Sequence, residues 1–205
     1  MIHQFVNPNY FSNTFIIETN QQNVIIVDPG NNDISPIKTW LIQNKKTLVA
    51  VILTHEHFDH CAGVNALYEW SSFELICTQT TAKNIGNSRQ NFSFYIDNAK
   101  AFEIKLPTKT VSDGDIIHRG TERFDFIETP GHSPGGLCIK TEDAFFTGDT
   151  LLNKTKTPLS FPHSNKKDYH RSVEKLKKIL IPGNTIYPGH GEPYVYSDFK
   201  SYLIL

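Results

Sequence analysis

The chain is poor in the features that would place it at a surface or in a fibre. Lys and Arg number 20 against 21 Asp and Glu, so there is no cationic excess to attract nucleic acid or an anionic membrane. No apolar run approaches the roughly 18 residues that a membrane span needs. The first residues, Met1-Ile-His-Gln-Phe-Val-Asn-Pro8, have neither the basic start nor the apolar stretch of a secretory signal. Cysteine is scarce as well. Cys61, Cys77 and Cys138 are an odd number with no close spacing, which argues against a disulfide framework and for a reducing, cytoplasmic setting. No repeat, low-complexity tract or linker interrupts the 205 residues, so a single domain over 1–205 is expected.

What is present is a strand-rich pattern. Residues 14–18 and 24–28 read as a hairpin, and the unbroken apolar run Val49-Ala-Val-Ile-Leu53 reads as a strand buried on both faces. Helical spacing follows at 34–43 and 62–70, with a further strand at 74–77. Short strands at 115–118, 124–127, 136–139 and 144–147 form a meander. The clearest helix spans 166–180, with Tyr169, Val173, Leu176 and Leu180 on one stripe, and a last strand covers 184–187. Alternating strands and helices favour helices packed on sheets. Residues 79–100 read as less regular, either a helix plus a surface excursion or a loop, and with 153–165 they could cover a site.

Nine histidines are unevenly placed, three of them within the six residues His55-Glu-His57-Phe-Asp59-His60. The pattern His-x-His-x-Asp-His arises by chance in a chain of this composition about once in a thousand, so it calls for a chemical reason. Four such groups at the end of a buried strand would repel as cations and waste their burial as neutral rings. A divalent metal resolves this, because neutral imidazole and carboxylate are its ligands. His55 and His57, alternate residues, can face one ion, which turns Asp59 and His60 toward a neighbouring position. Six residues cannot complete two coordination spheres. Three later residues supply the remainder: His132 in Thr129-Pro-Gly-His-Ser-Pro-Gly135, Asp149 in Phe146-Thr-Gly-Asp-Thr150 and His190 in Tyr187-Pro-Gly-His-Gly191. Each follows a strand and a glycine turn. Alone each is ordinary turn chemistry; together with the first motif they read as metal ligands.

This series, preceded by Val27-Asp28-Pro-Gly30, resembles the metallo-β-lactamase superfamily, and within it the glyoxalase II-like hydrolases. The resemblance covers residues 14 to 191. It implies an α/β fold, a four-layer αβ/βα sandwich of two mixed sheets with helices outside. It also implies that His55, His57 and His132 hold one metal, that Asp59, His60 and His190 hold the other, and that Asp149 bridges them. Asp28 matches an acid that orients ligands from behind, although a turn residue before Pro29 would look the same. Two divalent ions, zinc first and iron or manganese next, would sit about 3.5–4 Å apart and make a shared water nucleophilic near neutral pH. Asp59, ligand and proton acceptor together, is the candidate catalytic residue. Cys61 reads as a packing residue rather than a nucleophile.

The implied activity is hydrolysis of a small thioester, ester or lactone, with a small-molecule substrate and no nucleic-acid or membrane partner. Only fifteen residues follow His190, and residues 150–160 lack the Gly-Arg or Gly-Lys pattern usual in glyoxalase II. Both departures point away from a glutathione grip. Lys154, Lys156, His163 and Tyr194 are weaker candidates for the pocket edge. The competing reading is a persulfide dioxygenase-like enzyme with one iron on His55, His132 and Asp149; a non-catalytic metal-binding relative is the third.

Overall fold

Strict alternation in the early strands forces two buried faces. Phe15, Ile17, Ile25 and Val27 point one way, Ile16, Val24 and Ile26 the other, and all are buried. Such strands need layers on both sides. The computed structural model describes residues 1–96, 101–142 and 144–198 and supplies those layers.

The first half of the chain runs β1 (Ile2–Val6), β2 (Asn13–Glu18), β3 (Asn23–Val27), α1 (Ser35–Gln43), β4 (Thr47–Ile52), α2 (Phe58–Cys61), α3 (Val64–Trp70), β5 (Glu74–Thr78), α4 (Gln79–Ile85) and β6 (Thr108–Val111). Its six strands lie in sequence order in one sheet, antiparallel from β1 to β3 and parallel from β3 to β6. The second half runs β7 (Ile116–Arg119), β8 (Glu122–Glu128), β9 (Leu137–Lys140), β10 (Ala144–Gly148), α5 (Lys166–Leu176), β11 (Thr185–Pro188) and β12 (Tyr194–Val195). This sheet is ordered β12-β11-β10-β9-β8-β7, antiparallel except where β10 and β11 run parallel.

The sheets meet through Phe15, Ile25, Ile52 and Ile76 on one side and Phe124, Phe126, Ile139 and Phe146 on the other. Helices cover the outer faces. Ile37, Leu41, Val64 and Leu67 from α1 and α3 pack on the back of the first sheet. Val173 and Leu176 of α5 pack on the back of the second. The result is the four-layer αβ/βα sandwich expected from the resemblance. Among the described residues no helix is long and apolar enough to cross a membrane.

Two readings of the sequence change. The helix expected over 166–180 begins at a proper cap, with Asn165 Oδ1 accepting from the Lys167 and Asp168 amides, but stops at Leu176. Tight turns follow (Lys178 N to Lys175 O, Ile179 N to Leu176 O), and Leu180 stays buried without being helical. The helix expected over 62–70 starts later, as α3 at Val64, and a separate short helix, α2, precedes it and carries part of the histidine motif. Of the two readings left open for 79–100, the helix is present as α4, followed by a 3₁₀ turn at Ser93–Tyr95; 97–100 lie outside the described residues.

Candidate metal centre

Strand ends bring the polar cluster together. The chain leaves β4 through Leu53 and Thr54 and presents His55 and His57; α2 then carries Asp59 and His60. From the other sheet, His132 follows β8, Asp149 follows β10 and His190 follows β11. All seven predicted residues converge. His55, His57 and His132 form one group of donor atoms within 4.8 Å of one another, and Asp59, His60 and His190 form a second. Asp149 lies between them. Its Oδ2 is 3.4 Å from His132 Nε2 and 3.6 Å from His190 Nε2, and its Oδ1 is 3.7 Å from His60 Nε2. Gly189 makes the approach possible: a Cβ there would stand 2.2 Å from Asp149 Oδ1.

Outer hydrogen bonds decide which ring nitrogens face inward. His132 Nδ1 donates to the Pro158 carbonyl (2.8 Å) and His60 Nδ1 donates to Asp28 Oδ2 (3.0 Å). Thr54 Oγ1 donates to Asp28 Oδ2 (2.5 Å), so its oxygen is left to accept from His55 Nδ1 at 3.0 Å. In the neutral form of each of these three rings the proton sits on Nδ1 and the Nε2 lone pair points into the site. Asp28 also accepts the Thr54 amide at 2.7 Å, which closes the strand end against the His60 ring. Asp28, His55 and His60 form a third close group. With both Asp28 oxygens taken by Thr54 and His60, that group is a hydrogen-bonded support rather than a ligand set.

Three of the inward atoms lack protein partners, whereas His132 Nε2 lies 3.1 Å from His57 Nδ1. His55 Nε2, His60 Nε2 and Asp149 Oδ1 are buried with no hydrogen bond, a costly state that a cation at the focus relieves. Donor spacings of 3.3–3.7 Å between His190, Asp59, His60 and Asp149 suit ligands about 2.0–2.2 Å from a shared ion better than hydrogen bonds. The electrostatics agree. Burial, reinforced by the His60 and His57 rings, drives His55 well below its ordinary value, so it is neutral and able to ligate. Burial and His132 do the same to His57. Burial would lower His60 too, but Asp59, Asp149 and Asp28 outweigh it and raise it to about 10. Burial opposes ionisation of Asp59, yet His60 and the His190 hydrogen bond hold its carboxyl far below the usual range. Without an ion the second group therefore stores a proton that a metal would displace.

A sequence model of the metallo-beta-lactamase superfamily matches residues 7–190. The chain belongs to the metallo-beta-lactamase superfamily. It is 32% identical over 170 residues to a hydroxyacylglutathione hydrolase of Idiomarina loihiensis, a match covering 82% of this chain and 56% of that protein. The chain thus spans little more than half the length of that relative. The probable polyketide biosynthesis zinc-dependent hydrolase PksB of Bacillus subtilis is 27% identical, over 82% of this chain and 68% of its own. In fold, the BLEG-1 B3 metallo-beta-lactamase superposes with a TM-score of 0.88 at 23% identity, over 95% of this chain and 94% of its own.

Around this superfamily centre, the mouth is aromatic. The Phe92 ring lies 4.7 Å from His57, and Phe161 lies 5.7 Å from both His57 and His132. Phe92 takes a left-handed φ of 68°, unusual for a bulky residue and a mark of a constrained position. Tyr95 and Phe161 are largely exposed. The sequence offered both segments that carry these rings as possible cover for a site, without singling out Phe92 and Phe161 as the residues that meet there. Of the weaker candidates, Lys154, Lys156 and His163 are exposed. Tyr194 packs in the outer cluster behind the second sheet, not at the mouth, because β12 carries it along that sheet's edge. Cys61 is buried and donates to the Glu56 carbonyl, and burial pushes its thiol well above the ordinary range.

Proposed function

We propose that this chain is a dinuclear metal-dependent hydrolase of a small thioester, ester or lactone. The observation that carries the reading is two groups of donors sharing Asp149, with three buried donor atoms that no protein group satisfies. His55, His57 and His132 would hold one divalent ion, and Asp59, His60 and His190 the other, with Asp149 common to both and zinc the first candidate. Two such ions supply an acidified water and a Lewis acid for the carbonyl oxygen. The chain's own residues do the remainder. Asp59, held ionised with Oδ2 3.3 Å from His190 Nε2, would sit at the second donor group and orient the attacking hydroxide. Asp28 and Pro158 fix the His60 and His132 tautomers so that no ring reorients during turnover. Phe92 and Phe161 border the His57 side and limit access of bulk water there.

The test joins elemental analysis to turnover of S-lactoylglutathione, a simple acyl thioester and a lactone by zinc-loaded protein. Two ions per chain and hydrolysis of at least one substrate are expected, with Asp59→Ala losing one ion and all turnover. One iron per chain with oxygen uptake would replace this reading by the oxygenase, and a fully zinc-loaded protein inert to all three substrates would remove it.

A further inference from the structure

One buried acid has no part in the chemistry above. Glu56 stands between His55 and His57 in sequence, in the loop between β4 and α2. It is 1% exposed. Its Oε1 accepts from Asn84 Nδ2 at 2.8 Å, near the end of α4, and its Oε2 accepts from Ser133 Oγ at 3.1 Å, next to His132. Both partners are neutral, and no cation pairs with Glu56 among the described residues. The pocket is close-fitting: a Cβ on Gly135 would stand 2.5 Å from Oε2. A buried carboxylate with only neutral donors is expensive to keep unless a positive charge lies nearby.

The site provides that reason. Asp28, Glu56, Asp59 and Asp149 are four carboxylates clustered behind and within the donor groups, three of them buried and Asp59 partly so. Two divalent ions with neutral histidines would match their four negative charges. We propose that Glu56 is a positioning residue of the metal centre. It is not a ligand; its charge favours the ions from behind, and its bond to Ser133 serves to hold the side chain in place. This rests on the dinuclear reading above.

The sign of the effect separates this role from a merely structural one. Glu56→Gln keeps the shape and removes the charge. Zinc affinity, read by chelator competition, should fall about ten- to a hundredfold. The melting temperature of the zinc-loaded protein should drop by roughly 3–11 °C. That of the metal-free protein should stay the same or rise, because an uncompensated buried charge is gone. Ser133→Ala, which keeps the charge and removes one donor, should do the reverse, lowering metal-free stability and leaving zinc affinity within about threefold. Parallel losses in both forms of Glu56→Gln, unchanged zinc affinity, or failure of that variant to fold without metal would each overturn the proposal. Wild-type stoichiometry and turnover report on the hydrolase reading separately. A protein that binds two zinc ions but hydrolyses nothing loses that reading and leaves the Glu56 comparison intact.

Discussion

Replacing Asp28 by Asn should uncouple the donor groups without disturbing the fold around them. Asn tolerates the left-handed φ of 51° found at Asp28 as readily as Asp does, so the backbone adds no strain. The consequence lies in hydrogen bonding. Asp28 accepts three donors: the Thr54 amide on Oδ1, and Thr54 Oγ1 and His60 Nδ1 on Oδ2. Asn offers one carbonyl oxygen. If it faces the Thr54 amide, its NH₂ opposes the His60 Nδ1 proton, and His60 must move that proton to Nε2, where it blocks the ligating lone pair. If it faces His60, the buried Thr54 amide is orphaned, at a cost of about 1–3 kcal/mol. Either way the second metal should bind about ten- to a hundredfold more weakly, with the first less affected. Chelator competition gives the two affinities, and long-range proton–nitrogen NMR of the His60 ring gives the tautomer. An Asp28→Asn protein that holds two ions with wild-type affinity would refute the tautomer argument.

Three further outcomes follow from the same geometry. Metal-free protein should be most stable near neutrality: below about pH 6.5 stability falls because His55 and His57 are buried neutral, and between 6.5 and about 10 it falls as His60 loses its proton. Urea midpoints from pH 5 to 10 that rise steadily would contradict this, and zinc should flatten the alkaline limb. The three thiols are buried and raised by that burial, Cys77 to about 12 and Cys138 to about 11; a disulfide reagent at pH 8 should label none in the native protein and all three in urea. Phe161→Ala should raise KM about three- to tenfold for an aromatic acyl thioester and leave kcat within about twofold, since it removes contact area and no reacting group; an equal fall in kcat would place Phe161 in the chemistry.

The convergence of the seven candidate donors was legible in sequence because they fall where strands end, four of them within six residues. The central strands were legible for a similar reason, since Val49–Leu53 must be apolar throughout when both faces are covered. Edges were not. β1 and β6 are partly exposed and carry His3, Gln4, Thr108 and Lys109, so their patterns do not differ from loops. The end of α5 was misplaced because Leu180 keeps its helical spacing while packing on the second sheet from a turn. Phe92 and Phe161 escaped because they meet at His57 from loops 69 residues apart, a relation that no local pattern encodes.

The division of donors between the sheets has a bearing on the order of folding. Four donors hang from the first sheet and three from the second, and His55 and His190 are separated by most of the chain. Neither group of three nor the shared aspartate exists until the two sheets have closed on each other. Contacts this distant in sequence form late. An ion therefore cannot template the early steps; it can only be captured by a chain whose halves have already docked correctly. Metal uptake would then report completed assembly, and a bound ion would latch together two layers that also meet through apolar side chains, loop hydrogen bonds and the Arg119–Glu74 ion pair.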